Sequence, residues 1–175
     1  MKNKIVLTGY MACGKTATAK ILAQKLNLNA LDLDYYIEKK EQLSVEKIFK
    51  TKGEIYFRKQ EIKWLQHIMD HENNFVLSLG GGTPCFGENY KHLQNSEIPS
   101  FYLQTSVSEI VKRLKSSQQL RPLIQNINQD DWEDFTTKHL FERNYYYNFA
   151  QHKINTNEKD NETVAEEIYR IILNL

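Results

Sequence analysis

Gly9-Tyr10-Met11-Ala12-Cys13-Gly14-Lys15-Thr16 decides the fold of this chain. The octapeptide fits the pattern G-x-x-x-x-G-K-[ST], and its flanks give the pattern meaning. Before it, Lys4 to Leu7 is a short β-branched, apolar run of the kind that makes a buried strand. After it, Lys15 to Leu26 carries Ala19, Ile21, Leu22 and Leu26 at roughly helical spacing. A strand, a glycine-bearing turn and a helix in that order are expected to cradle phosphate. Backbone N–H groups around residues 12 to 17 would wrap the anion, with the positive end of the helix dipole aimed at it. Lys15 is placed to reach the β- and γ-phosphates, and the Thr16 hydroxyl to ligate Mg²⁺.

Outward from this loop the alternation continues. Ala30 to Leu33, Phe75 to Leu79, Ser100 to Leu103 and His152 to Asn155 read as further strands. Asp34 to about Asp70 is predicted helical, as two or three helices. Its breaks fall near Gln42-Leu43-Ser44, where Ser44 is placed to cap, and at Gly53. Helices are predicted over about Ser106 to Lys115, Asp131 to Ala150 and Glu162 to Leu173. Ser116 to Asp131 is polar, has one proline and no sustained period, and is expected to be a mobile loop. Strands alternating with helices predict an α/β fold, a parallel sheet covered on both faces, with ligands at the carboxyl ends of its strands.

Composition bounds the rest. The 175 residues suffice for one domain over 1–175 with a sizeable core. Lys and Arg total 23 against 22 Asp and Glu, so a formal charge of +1 predicts no nucleic-acid partner and no anionic membrane surface. No uncharged apolar run reaches the roughly 18 residues of a spanning helix. Cys13 and Cys85 make neither a disulfide framework nor a metal pattern, which points to a reducing, cytoplasmic setting.

Other residues at strand ends carry chemistry. Alternation would put Asp32 and Asp34 on one face of an extended segment, one to hold Mg²⁺ through water and one to accept a hydroxyl proton. The competing reading is that Asp34 caps the next helix. Arg58 and Glu61, three apart on a helix, are spaced to pair with each other, and Arg58 is also suited to an anion. Gly80-Gly81-Gly82 holds three of seven glycines and permits close backbone approach to a ligand. Arg121 in the polar loop has the setting of an arginine finger. Tyr145, Tyr146, Tyr147, Trp64 and Trp132 are assigned to packing, and His67/His71 to a helix surface because no third ligand accompanies them.

Taken together these pieces resemble the shikimate kinase family over nearly the whole chain. They are the loop at 9–16, Leu31-Asp32-Leu33-Asp34, Gly53-Glu54, Phe57-Arg58, Glu61, Leu79-Gly80-Gly81-Gly82, Arg121-Pro122-Leu123-Ile124, and Arg143 ahead of an aromatic stretch with Tyr147. The resemblance implies a P-loop, nucleoside-monophosphate-kinase-like fold with a five-stranded parallel sheet. It also implies a substrate-binding region at about 34–62 and a lid at about 114–128. The implied activity is transfer of the γ-phosphoryl group of ATP to the 3-hydroxyl of shikimate, in aromatic amino-acid biosynthesis. Independently of the resemblance, a single compact domain needs no partner to build its core, so a monomer is expected.

By the same resemblance Arg58 and Arg143 hold the shikimate carboxylate, and Gly80, Gly81 and Gly82 line its site. Asp34 binds ring hydroxyls and is the candidate base. Lys15 and Arg121 sit on the transferring phosphate. Ala12, Cys13, Gly14, Lys15, Thr16, Ala17, Arg113 and Arg121 meet the nucleotide, and Thr16 and Asp32 serve Mg²⁺. The chain departs from the family at Ala12 and Ala19, where glycine is usual, and at Cys13, usually a small residue. If φ at Ala12 is positive, alanine there costs about 1 kcal/mol or more. The stretch after Arg143 lacks the usual proline, and the loop at 155–158 lacks an arginine often found nearby. Another small-metabolite or nucleotide kinase of this fold, and a non-catalytic nucleotide-binding module, stay open as alternatives.

Overall fold

The strand that leads into the phosphate loop is the centre of the molecule. In the computed structural model, which describes residues 3–95, 97–116, 124–125 and 127–175, β1 (Lys4–Thr8) lies between β3 (Phe75–Ser78) and β4 (Ser100–Gln104). β2 (Asn29–Asp32) and β5 (His152–Asn155) complete the sheet in the order β2-β3-β1-β4-β5, with every pairing parallel. Val6 is opposite Leu77 on one side and Ser100 on the other. A strand flanked on both edges and covered on both faces needs an apolar middle, and Ile5, Val6 and Leu7 have no exposed surface.

Alternate residues of β1 feed two cores. Ile5 and Leu7 pack with Leu22 and Ala23 of α1 (Lys15–Leu26) and with Val164, Ile168 and Ile172 of α6 (Asn161–Leu173). Val6, Phe75 and Leu77 face the other way, onto Leu33 and Ile37 of α2 (Leu33–Glu41) and Ile48, Leu65 and Ile68 of α3 (Val45–His71). A third cluster joins Tyr10 and Tyr102 to Ile110 and Leu114 of α4 (Val107–Ser116) and to Trp132 and Tyr147 of α5 (Trp132–Tyr147). Each fully buried aliphatic or aromatic side chain contributes roughly 1.5–3 kcal/mol, so these three clusters hold the loops above the sheet in place.

The helix signals are mostly where the sequence puts them. Ser44 caps α3, its Oγ accepting from the Lys47 N–H at 3.2 Å, and Gly53 breaks that helix with φ 82° and ψ 168°. One expectation is corrected. The chain leaves the extended conformation at Leu33, so Asp32 and Asp34 do not share the face of a strand. Asp32 is the cap of α2, accepting from the Tyr35 N–H at 3.2 Å, and Asp34 lies in the first helical turn. α4 runs on to Ser116, so the start of the stretch expected as a lid is helical, while Arg121-Pro122-Leu123 falls outside the described residues. No helix among the described residues is long and apolar enough to cross a membrane.

Candidate active site

The loop between β1 and α1 is held by its own backbone and one lysine. Gly9, Ala12 and Gly14 have φ of 144°, 60° and 95°, a region that side chains disfavour. A methyl group on Gly9 would sit 2.8 Å from the Leu103 carbonyl oxygen and 2.9 Å from Cys13 Sγ. Ala12 carries its Cβ in the left-handed region, at a cost of about 1–2 kcal/mol. Lys15 Nζ donates to the Gly9 and Tyr10 carbonyls, both at 2.8 Å, which folds the side chain back over the loop. Thr16 Oγ1 donates to Asp32 Oδ2 at 2.7 Å, bringing two hard oxygens side by side at the end of β2. Among the described residues no three His, Cys, Asp or Glu side chains gather as a metal cage. Magnesium needs none, because it keeps waters and takes phosphate oxygens beside one or two protein oxygens.

Beside the loop, the turn after β3 brings three oxygens together. A methyl group on Gly80 would lie 2.8 Å from Asp34 Oδ1, 2.9 Å from Thr83 Oγ1 and 3.0 Å from Glu61 Oε1. Only glycine leaves room for that convergence. Asp34 Oδ1 is shielded from solvent and has no hydrogen-bond partner among the described residues. Burial, reinforced by the Glu61 and Asp32 carboxylates and opposed by Lys15 and Arg58, pushes the Asp34 carboxyl up to about 7. Glu61 has no exposed surface; its Oε2 is 2.7 Å from Arg58 Nη1, and its Oε1 accepts from Thr83 Oγ1 at 2.5 Å.

Arg58 is thereby fixed. It also pairs with Glu54 at 3.0 Å, lies over the Phe86 ring at 4.3 Å, and fills the space a Gly82 side chain would need. Cys85, half-buried near Arg58 and Arg143, has its thiol pushed up to about 11 because burial outweighs the two cations. Arg143 of α5 closes the far side, its Nη1 3.5 Å from where a Gly81 methyl would be. The Tyr147 hydroxyl donates to the Gly81 carbonyl at 2.6 Å. Arg113 of α4 joins the loop from the opposite flank, donating to the Thr156 carbonyl at 2.6 Å and the Ala12 carbonyl at 3.4 Å.

The fold therefore collects Ala12 to Thr16, Asp32, Asp34, Arg58, Gly80 to Gly82, Arg113 and Arg143 at the carboxyl edge of the sheet. Ala17 stands exposed in the first turn of α1, and Arg121 lies outside the described residues. The expected Arg58–Glu61 pair is present. The sequence does not signal Thr83 beyond its place directly after the glycines, nor the burial of Glu61.

This arrangement has counterparts among known proteins. The family model for shikimate kinase matches residues 11–173. A shikimate kinase of Flavobacterium psychrophilum is 44% identical, covering 97% of this chain and 99% of that one. One from Flavobacterium johnsoniae is 43% identical, covering 97% of each. The crystal structure of the Bacteroides thetaiotaomicron shikimate kinase superposes with a TM-score of 0.88 at 34% identity, over 98% of both chains. That of the Acinetobacter baumannii shikimate kinase in complex with shikimate gives 0.88 at 30% identity, over 98% of this chain and 93% of that one. A gluconokinase from Sinorhizobium meliloti, at 9% identity and a TM-score of 0.56, shares the fold alone. Because the match runs from the phosphate loop to the last helix, at identities that kinases sharing only the fold do not approach, the chain belongs to the shikimate kinase family.

Proposed function

We propose that this chain transfers the γ-phosphoryl group of ATP to the 3-hydroxyl of shikimate, giving ADP and shikimate 3-phosphate. The observation that carries the reading is the seating of Arg58, Arg143 and Asp34 around Gly80 to Gly82, beside a phosphate loop. A small carboxylate bearing several hydroxyls calls for two guanidinium groups at one end and a carboxylate acceptor at the other. Arg58 and Arg143 take the substrate carboxylate, the Gly81 N–H adds a donor, and Asp34 receives the ring hydroxyls. Arg58 needs no reorganisation to do so, since Glu61 and Glu54 already hold it.

Phosphoryl transfer is mainly positioning and charge neutralisation. The loop N–H groups and Lys15 hold the phosphates, and Arg113 flanks the nucleotide from α4. Arg121 is assigned to the transferring phosphate from the resemblance alone. Thr16 and Asp32 would hold Mg²⁺, which when bound neutralises charge on the phosphate oxygens. With its carboxyl raised to about 7 by burial and the neighbouring carboxylates, Asp34 is well matched to take the hydroxyl proton as the oxygen attacks phosphorus. The reading includes a monomer acting in the cytoplasm, since one domain builds its own cores and both cysteines are free.

The test is ADP release from Mg-ATP with shikimate, with quinate, gluconate or a nucleoside monophosphate as acceptor, and with none. Release that requires shikimate is the expected result. Release with another acceptor, or nucleotide binding without transfer to any, would overturn the reading.

A further inference from the structure

Tyr10 is the second residue of the phosphate loop, yet its side chain is buried in the core against α5. Its hydroxyl lies 2.9 Å from His139 Nδ1, and the two rings meet edge to face with centroids 5.6 Å apart. One turn further along α5, the Arg143 guanidinium stands 5.9 Å from the centre of the Tyr10 ring, within cation–π range. One turn beyond that, Tyr147 donates to the Gly81 carbonyl. His139, Arg143 and Tyr147 recur every fourth residue and so share one face of α5. That face grips the phosphate loop at Tyr10 and the glycine run at Gly81, with Arg143 carried between the two grips.

The same loop residue is held from the nucleotide side. Lys15, which meets the phosphates in the proposed reaction, donates to the Tyr10 carbonyl at 2.8 Å. The backbone of Tyr10 thus answers to Lys15, and its hydroxyl to α5. When phosphates draw Lys15 toward themselves, the residue that loses that contact is the one bonded to the helix carrying Arg143. Burial keeps the two partners neutral: the Tyr10 hydroxyl is pushed up to about 12. The His139 imidazole is pushed down to about 4, by burial first and then by the Arg143 and Arg58 charges.

We propose that Tyr10 and His139 are positioning residues whose hydrogen bond sets Arg143 toward the acid pocket and couples occupancy of the phosphate loop to binding of the carboxylate substrate. The inference rests on the assignment of Arg143 to the shikimate carboxylate, and it adds a route by which one substrate prepares the site of the other. Coupling between two sites of a protein is typically about 5- to 150-fold in affinity.

Titration calorimetry on the full chain tests it, measuring shikimate binding alone and with saturating Mg-ADP. The wild type is expected to bind shikimate about five-fold or more tightly with Mg-ADP present. Tyr10→Phe keeps the ring and its contact with Arg143 but loses the hydroxyl. Its coupling should fall to near unity, with KM for shikimate rising roughly 3- to 10-fold and kcat changing less than about two-fold. His139→Gln, which keeps a polar side chain able to accept, should retain most of the coupling, and His139→Leu should lose it. The His139 pair decides the matter if Tyr10→Phe does not fold. A merely structural role would lower the melting temperature and leave coupling and KM untouched; that result, or a wild type without coupling, overturns the proposal. A wild type that does not bind shikimate at all removes the functional reading first, and the coupling falls with it.

Discussion

The two banks of the active site are built from different materials. On the proposed nucleotide side the loop is shaped by the main chain, through positive φ at Gly9, Ala12 and Gly14, with Lys15 and Thr16 hydrogen-bonded beside it. On the acid side the main chain recedes. Three glycines make room for Asp34, Glu61, Arg58, Thr83 and Arg143, and at their centre the buried Glu61 carboxylate is held by Arg58 and Thr83. A backbone cradle holds phosphate through N–H groups that nearly every residue type carries. A cluster of buried charges fails when one member is removed, and it can tell one small acid from another.

If that contrast is right, the largest effects lie on the acid side. Asp34→Asn should lower kcat about 10²- to 10⁴-fold while ATP binding, followed by nucleotide titration, stays unchanged. The same substitution should stabilise the fold at pH 8. The Asp34 carboxyl is raised from 3.8 to about 7, so wild-type Asp34 favours the folded state most below pH 4. That contribution is lost as pH rises through about 7, and thermal melts of the two proteins should diverge across that window. In the wild type, kcat/KM should fall as the pH is lowered through about 7, because the base must be ionised.

Arg58→Ala comes next. It leaves Glu61 buried without its cation, at a cost of about 3–5 kcal/mol by denaturant unfolding. KM for shikimate should rise roughly 10- to 100-fold, as expected for a lost charge-assisted bond. Adding Glu61→Gln should recover part of that stability; a double variant no more stable than the single one would break the picture of a dependent pair. Glu61→Gln alone removes a carboxylate that raises the Asp34 carboxyl, so the acid limb of kcat/KM should move to lower pH. The smallest effect belongs to the nucleotide side. Ala12→Gly relieves a left-handed alanine and should add about 1 kcal/mol of stability with little change in shikimate binding.

The same division explains what the sequence makes legible. The phosphate loop is read from eight consecutive residues because its geometry is local, and α1 and β5 fall where periodicity puts them. The Arg58–Glu61 pair is legible because three residues along a helix bring side chains together. Thr83 reaches Glu61 across 22 residues, and Tyr10 reaches His139 across 129, so no spacing rule announces either. Asp32 misleads in another way. It reads as the end of a strand, but its carboxylate bonds the Tyr35 N–H and turns the chain into a helix one residue early. The resemblance supplies the roles of the acid-side residues because those roles come from tertiary approach, which pattern alone does not encode.

The central position of β1 sets a timetable for the chain's birth. Of the five strands of the sheet, β1 is made before the others, and it pairs with Phe75 to Ser78 on one edge and with residues from Ser100 on the other. At about 5–20 residues per second, its first partner emerges roughly 4–14 seconds later and its second later still. Until then Ile5-Val6-Leu7 is an unpaired apolar strand with two open edges, the kind of segment that chaperones bind and that seeds aggregation. Lys2 and Lys4, immediately before it, are charges of the kind that flank aggregation-prone strands in natural sequences. The strand order that lifts the phosphate loop to the middle of the molecule thus also makes the earliest strand of this sheet the one that waits for partners on both edges.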